Sequence, residues 1–245
     1  MDRYFTATRT HSYSLLFALP LLLLYETGAA FITDPNGDGF RNAADVILRT
    51  VLMLSGVTGT AGVTLVLIAI GAVLIILERR KRSIPMKISR FAGMAMESIL
   101  YATMLGTVVG SATQFVVREF ETDLAIRGSF SAMSVPEGLV LSIGAGLYEE
   151  LLFRVVLAGG LFAIFRWSGL PEWRSGTFAV LLSALVFSGF HYIGSYGDPF
   201  EITSFLFRFF AGIVFSAIFL LRGFGITAWT HALYDVFVVF ALSAR

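Results

Sequence analysis

The sequence predicts an all-α integral membrane protein, a bundle of seven transmembrane helices in which the stretch 43–58 is the candidate for an eighth. Three observations predict it. Of 245 residues, 56% are hydrophobic and only 14% are charged, against about 25% charged in soluble domains. The mean hydropathy is +0.79. Crossing a hydrocarbon core of ~30 Å takes about 20 mainly apolar residues, and runs of that length recur near 14–33, 60–78, 91–116, 138–165, 176–194, 203–221 and 225–243. No soluble domain fits between them, so the chain reads as a single polytopic membrane domain, 1–245.

The loops give an orientation, because Lys and Arg collect on the cytoplasmic side. Arg79, Arg80, Lys81 and Arg82, with Lys87 and Arg90, mark an inside loop. Counting outward from it puts eleven of the 18 Lys and Arg inside and five outside, with Arg154 and Arg208 inside spans. The expectation is a cytoplasmic N-terminus and a multi-pass protein of a bacterial inner membrane. The first run follows Arg3 and Arg9 and is expected to stay as an anchor rather than leave as a signal peptide. The basic loop needs no further task, so no nucleic-acid partner is expected. With no cysteine, disulfides and thiol catalysis are excluded.

An ionisable group at mid-membrane costs roughly 2.5–3.5 kcal/mol on insertion scales and so calls for a partner or a task. Glu26, Glu97, Glu149, Glu150, Arg154, His191, Arg208, His231 and Asp235 all fall in apolar runs. Glu150 and Arg154 are four residues apart, share a helix face and suit an ion pair; Glu149 points about 100° away, toward a different neighbour. His231 and Asp235 are also four apart, so the carboxylate can orient the imidazole. Any one of these groups reads as an ordinary helix-to-helix contact, but a Glu, two His and an Asp in one dry bundle call for a task or a water-filled cavity. Glu26, Glu97 and the aromatic run 205–210 receive no role beyond lipid or helix contacts.

Glu149-Glu150-Leu151-Leu152-Phe153-Arg154 spells EExxxR, Phe187 to His191 spells FxxxH, and His231 to Asp235 spells HxxxD. Three motifs in this order on separate apolar spans resemble the CPBP family, which includes the type II CAAX prenyl proteases and bacteriocin-processing or immunity membrane proteins. The resemblance covers roughly 136–243 as a catalytic core. It implies that Glu149 activates a water as general base, that His191 positions or polarises it, and that His231 stabilises the oxyanion. The family's last motif often ends in Asn, whereas Asp235 donates a hydrogen bond only if protonated; it orients His231 instead, or the four groups hold a divalent metal. The metal-free mechanism is favoured.

A second pattern lies in the first loop. Asp34, Asn36, Asp38, Phe40, Asn42 and Asp45 occupy the ligand positions of a twelve-residue calcium loop, DxNxDGxxxxxD, with Gly39 at the sharp turn. It resembles a dockerin-type half EF-hand at 34–45, which closes with Asp rather than a bidentate Glu. Calcium is expected there as a structural staple.

The leading expectation is an intramembrane glutamate-dependent endopeptidase acting on a membrane-anchored, prenylated or C-terminally signalled, protein or peptide within the lipid bilayer. The competing one is a non-catalytic scaffold or immunity protein of the same fold. A small transporter ranks last, since no inverted repeat is visible.

Overall fold

The computed structural model describes residues 2–32, 40–57, 59–117, 133–194 and 197–244. Its elements are α1 (Asp2–Thr8), α2 (His11–Phe31), α3 (Ala43–Leu54), α4 (Thr60–Lys81), α5 (Ile88–Val117), α6 (135–167), α7 (Glu172–Phe190), α8 (Ile202–Arg222) and α9 (Phe224–Ser243). Six of these, α2, α4, α5, α7, α8 and α9, are each long and apolar enough to cross a membrane. The expected fourth span falls on α6, a continuous run of helical backbone whose middle is π-helical over Ala145–Glu149 and Leu151–Ala158. The chain is therefore an all-α membrane bundle. The stretch 43–58 is not an eighth crossing: α3 has 12 residues, about 18 Å of helix against a core of ~30 Å.

Large apolar side chains on the outer faces stay exposed, for example Leu65, Ile70, Val73 and Ile76 on α4, because the solvent there is lipid. The interior is polar at chosen points, and each intramembrane charge that the sequence left unassigned has a partner. Glu97 on α5 takes both arms of Arg222, at 3.0 and 2.6 Å, and accepts from Tyr4 and Tyr101. Arg222 also donates to Thr8 and lies 4.4 Å from the Phe5 ring centroid. The short α1 is thus clamped to α5 and α8. Glu97→Gln leaves the Arg222 guanidinium without its counter-ion; partial exposure limits the cost to about 2 kcal/mol. A lower melting temperature in detergent, reversed by the double change Glu97→Gln with Arg222→Met, checks this.

Glu26 belongs to a second network at the opposite end. It pairs with Arg41 at 3.2 Å and with Arg49 at 2.5 Å, and accepts from Tyr148 at 2.8 Å. Asp45 is fully buried between the same two arginines and also accepts from Tyr25. These contacts fasten the first turns of α3 to α2 and α6.

Two glycine features set the helices that carry the motifs. Gly223, at φ +85°, is the only residue between α8 and α9; that left-handed backbone suits glycine and turns the chain back on itself in one step. Gly146 abuts α9, where an added Cβ would lie 2.4 Å from the Ala228 carbonyl oxygen and 2.6 Å from the Ala232 Cβ. Its bare face lets α6 and α9 touch beside His231.

Candidate active site

The three motifs meet at one cavity of about 400 Å³ whose walls include Glu149, His191, His231 and Asp235. Side chains of α3, α6, α7, α8 and α9 line it. Ser134 precedes helix α6, and its amide and hydroxyl both donate to the Glu137 carboxylate at 2.7 and 2.8 Å, which fixes where the helix starts. Its wide π-helical turns, a form often found at functional sites, carry Glu149 and flank Glu150, both buried. The carboxylates then diverge, as the sequence predicts.

Glu150 turns into the bundle. Its Oε2 lies 3.1 Å from Arg154 Nε, but the approach is too bent for a hydrogen bond, so the attraction is chiefly ionic. Arg154 is 1% exposed and stacks over Phe187 at 4.5 Å and Phe215 at 5.6 Å. The other oxygen of Glu150 takes a second role that the sequence does not reveal: Oε1 is 2.8 Å from His231 Nδ1. His231 is held on its far side by Asp235, Nε2 to Oδ2 3.5 Å, and on its face by Phe215, with ring centroids 4.4 Å apart. Of the two carboxylates beside His231, Glu150 is the nearer. A carboxylate only accepts, so Nδ1 carries a hydrogen toward Glu150, and Nε2 donates when the ring is an imidazolium.

Glu149 faces the cavity. Its Oε2 is buried, has no hydrogen-bond partner among the described residues, and sits 3.9 Å from His191 Nε2. His191 is not mid-span; it caps the C-terminal end of α7, where the helix stops at the chain segment that leads to α8. There its Nδ1 is 2.9 Å from the Phe187 carbonyl oxygen. A carbonyl cannot donate, so Nδ1–H is the donor and Nε2 of the neutral ring is left as an acceptor aimed toward Glu149. Two acceptors bridged by one water stand roughly 4.4 Å apart when two ~2.8 Å bonds meet at the water's own angle, close to the separation seen.

The remaining oxygen of Glu149, Oε1, accepts from Asn42 Nδ2 at 2.9 Å. The sequence assigns Asn42 to calcium; the structure places it in the cavity wall. Of the other expected calcium ligands, Asp34, Asn36 and Asp38 lie outside the described residues. The Phe40 amide donates to the Ile32 carbonyl, and the Asp45 carboxylate is engaged by Arg41, Arg49 and Tyr25. The run 205–210, expected to meet only lipid or helices, contributes Phe207 and Arg208 to the cavity; Arg208 pairs with Asp198. Among the described residues, no three His, Asp or Glu side chains are grouped as ligands of one ion.

The cavity reaches the end of the bundle formed by residues 40–46, Met133, Ile193 and Gly197. That end is opposite the basic loop between α4 and α5, because successive crossings run antiparallel. No curated protein and no solved structure matches the chain. Residues 131–237, the stretch holding all three motifs, match the family model described as Type II CAAX prenyl endopeptidase Rce1-like, and in that stretch the chain is similar to a family of membrane-embedded proteases.

Proposed function

We propose that the protein is an intramembrane endopeptidase in which Glu149 is the general base. The observation that supports this most directly is the buried Glu149 Oε2, without a hydrogen-bond partner among the described residues, facing His191 Nε2 across 3.9 Å in a cavity that His231 also lines. A water donating one hydrogen to each acceptor keeps a lone pair free for a peptide carbonyl. As the O–C bond forms, Glu149 takes the water's proton. His231 acts as an imidazolium: its Nδ1–H stays on Glu150, and its Nε2–H, which faces Asp235 at rest, is donated to the developing oxyanion. Collapse breaks the C–N bond, and the proton held by Glu149 passes to the leaving amine.

The substrate class follows from the walls. Phe40, Val46, Leu141, Phe190, Phe207 and Val238 make the cavity largely apolar, which suits a membrane-anchored peptide with an apolar or prenylated C-terminal part. Full-length protein in nanodiscs is incubated with a farnesylated C-terminal peptide and its unprenylated twin, and new ends are read by mass spectrometry. Endoproteolysis of the prenylated peptide supports the reading. Failure to cut either peptide, while a family protease cuts them in the same nanodiscs, counts against it.

The positive-inside pattern combined with the cavity's position supports a reacting bond on the non-cytoplasmic side. Since the chain has no cysteine, single replacements report cleanly. Ile193→Cys, on an exposed cavity-lining residue, is expected to react with an impermeant maleimide in intact cells, and Arg82→Cys only after lysis. The opposite result reverses the orientation.

Calcium at 34–45 is a separate proposal, in which the ion draws Asp45 away from Arg41 and Arg49. A calcium-dependent rise in melting temperature that Asp38→Ala abolishes supports it; identical melting with and without calcium removes it.

A further inference from the structure

We propose that Asn42, which lies outside the 131–237 stretch that carries the motifs, is a positioning residue of the hydrolytic site: its amide pins one oxygen of Glu149 and thereby aims the other at the attacking water. The proposal rests on Glu149 being the base, and it makes the N-terminal part of the chain a component of the catalytic machinery.

Asn42 is 7% exposed and is fixed at three points. Its Oδ1 accepts from the Ala44 amide at 2.8 Å, capping α3; its own amide donates to the Tyr25 hydroxyl at 2.9 Å; its Nδ2 donates to Glu149 Oε1 at 2.9 Å. The side-chain orientation follows from its neighbours. An oxygen must face the N–H of Ala44 and an N–H must face the carboxylate, so the reversed amide would lose both bonds.

A glutamate's last torsion is broad and lets the two oxygens exchange. A hydrogen bond on Oε1 ends that exchange and leaves Oε2, the oxygen nearer His191, as the one that accepts the proton. Helix capping alone does not call for this arrangement, because Ser and Asp cap as well as Asn does and offer no amide donor. The close approach is also prepared from the other side. A Cβ at Gly144, one turn before Glu149, would lie 3.0 Å from the Asn42 Cβ and 2.4 Å from Tyr25 Cε2. Glycine at 144 therefore admits Asn42 to within reach of the carboxylate.

Two substitutions separate positioning from capping. Asn42→Ser keeps a capping oxygen and removes the donor; Asn42→Ala removes both. With the farnesylated peptide in nanodiscs, Asn42→Ser is expected to melt as the parent does, with kcat down about 10- to 100-fold, by analogy with the outer partners that orient metal ligands, and KM unchanged. Asn42→Ala is expected to show the same loss in kcat together with a lower melting temperature. Added to Glu149→Gln, Asn42→Ser is expected to change nothing further.

A readout independent of turnover accompanies these. The carboxylate stretch of Glu149, isolated as the infrared difference between parent and Glu149→Gln, is expected to shift in Asn42→Ser. An unshifted band, parental kcat in Asn42→Ser, or a rise in KM alone overturns the positioning role. An inactive Glu149→Gln beside a fully active Asn42→Ser defeats the positioning role and spares the base, whereas an active Glu149→Gln defeats the base itself.

Discussion

Glu149→Gln is expected to fold as the parent protein does and to cleave about 10³-fold more slowly, the middle of the range for losing a positioned general base. The fold should survive because a glutamine keeps an oxygen for Asn42 Nδ2, whose 2.9 Å bond is the one hydrogen bond the Glu149 carboxylate makes among the described residues. Neutralising a buried carboxylate also removes a desolvation cost. What disappears is the ability of Oε2 to take a proton, since an amide nitrogen is a donor. Single-turnover cleavage of the prenylated peptide, paired with melting curves, measures both quantities. Parental cleavage by a well-folded Glu149→Gln protein would falsify the mechanism proposed above.

Arg154→Ala is expected to carry the largest stability cost, about 3–5 kcal/mol, because it removes one partner of a buried ion pair. Arg154 is buried beside a fully buried Glu150, and its two terminal nitrogens have no hydrogen-bond partner among the described residues. Its charge is therefore balanced by the Glu150 carboxylate and the faces of Phe187 and Phe215. Alanine leaves Glu150 Oε2 uncompensated and opens space beneath both rings. His231 then loses firm support on Nδ1, so catalysis should fall along with stability. Arg154→Lys should recover part of the pairing but not the flat stacking of a guanidinium. Denaturation in mixed micelles at several denaturant concentrations gives the difference; equal stability of Arg154→Ala and the parent would show that the pair holds nothing together.

Much of the site could be read from spacing within single helices. Glu150 with Arg154 and His231 with Asp235 sit at the separation that places side chains on one helical face, and they come within 3.1 and 3.5 Å. The adjacent glutamates were legible as diverging for the same reason. Contacts between distant segments were not. Asn42 and Glu149 are 107 positions apart, and the local pattern around Asn42 points to a metal loop, so nothing nearby signals a carboxylate partner. Glu26 and Glu97 were visible as charges in need of company, yet Arg49 and Arg222 are named only by the packing. The π-helical turns leave no mark on hydropathy, because an apolar residue serves an i→i+4 or an i→i+5 turn equally well. His191 was read as lying inside its span because the apolar run continues through Tyr192 and Ile193; the helix in fact ends at Phe190. The nearest sequence signal for the close packing is the pair Gly144 and Gly146 just ahead of the glutamates, small residues being what lets membrane helices approach.

The single-residue link at Gly223 makes α8 and α9 behave like tongs. Their joined ends lie toward the basic loop, and their free ends carry Phe207 and Arg208 on one arm and Tyr234, Asp235 and Val238 on the other, all beside the cavity. At those tips the Phe207 and Tyr234 rings stack on each other, with centroids 6.5 Å apart. Phe215 of one arm is stacked on His231 of the other nearer the joint, so the contact that closes the entrance and the contact that seats the imidazole are separate, and loosening the first does not require loosening the second.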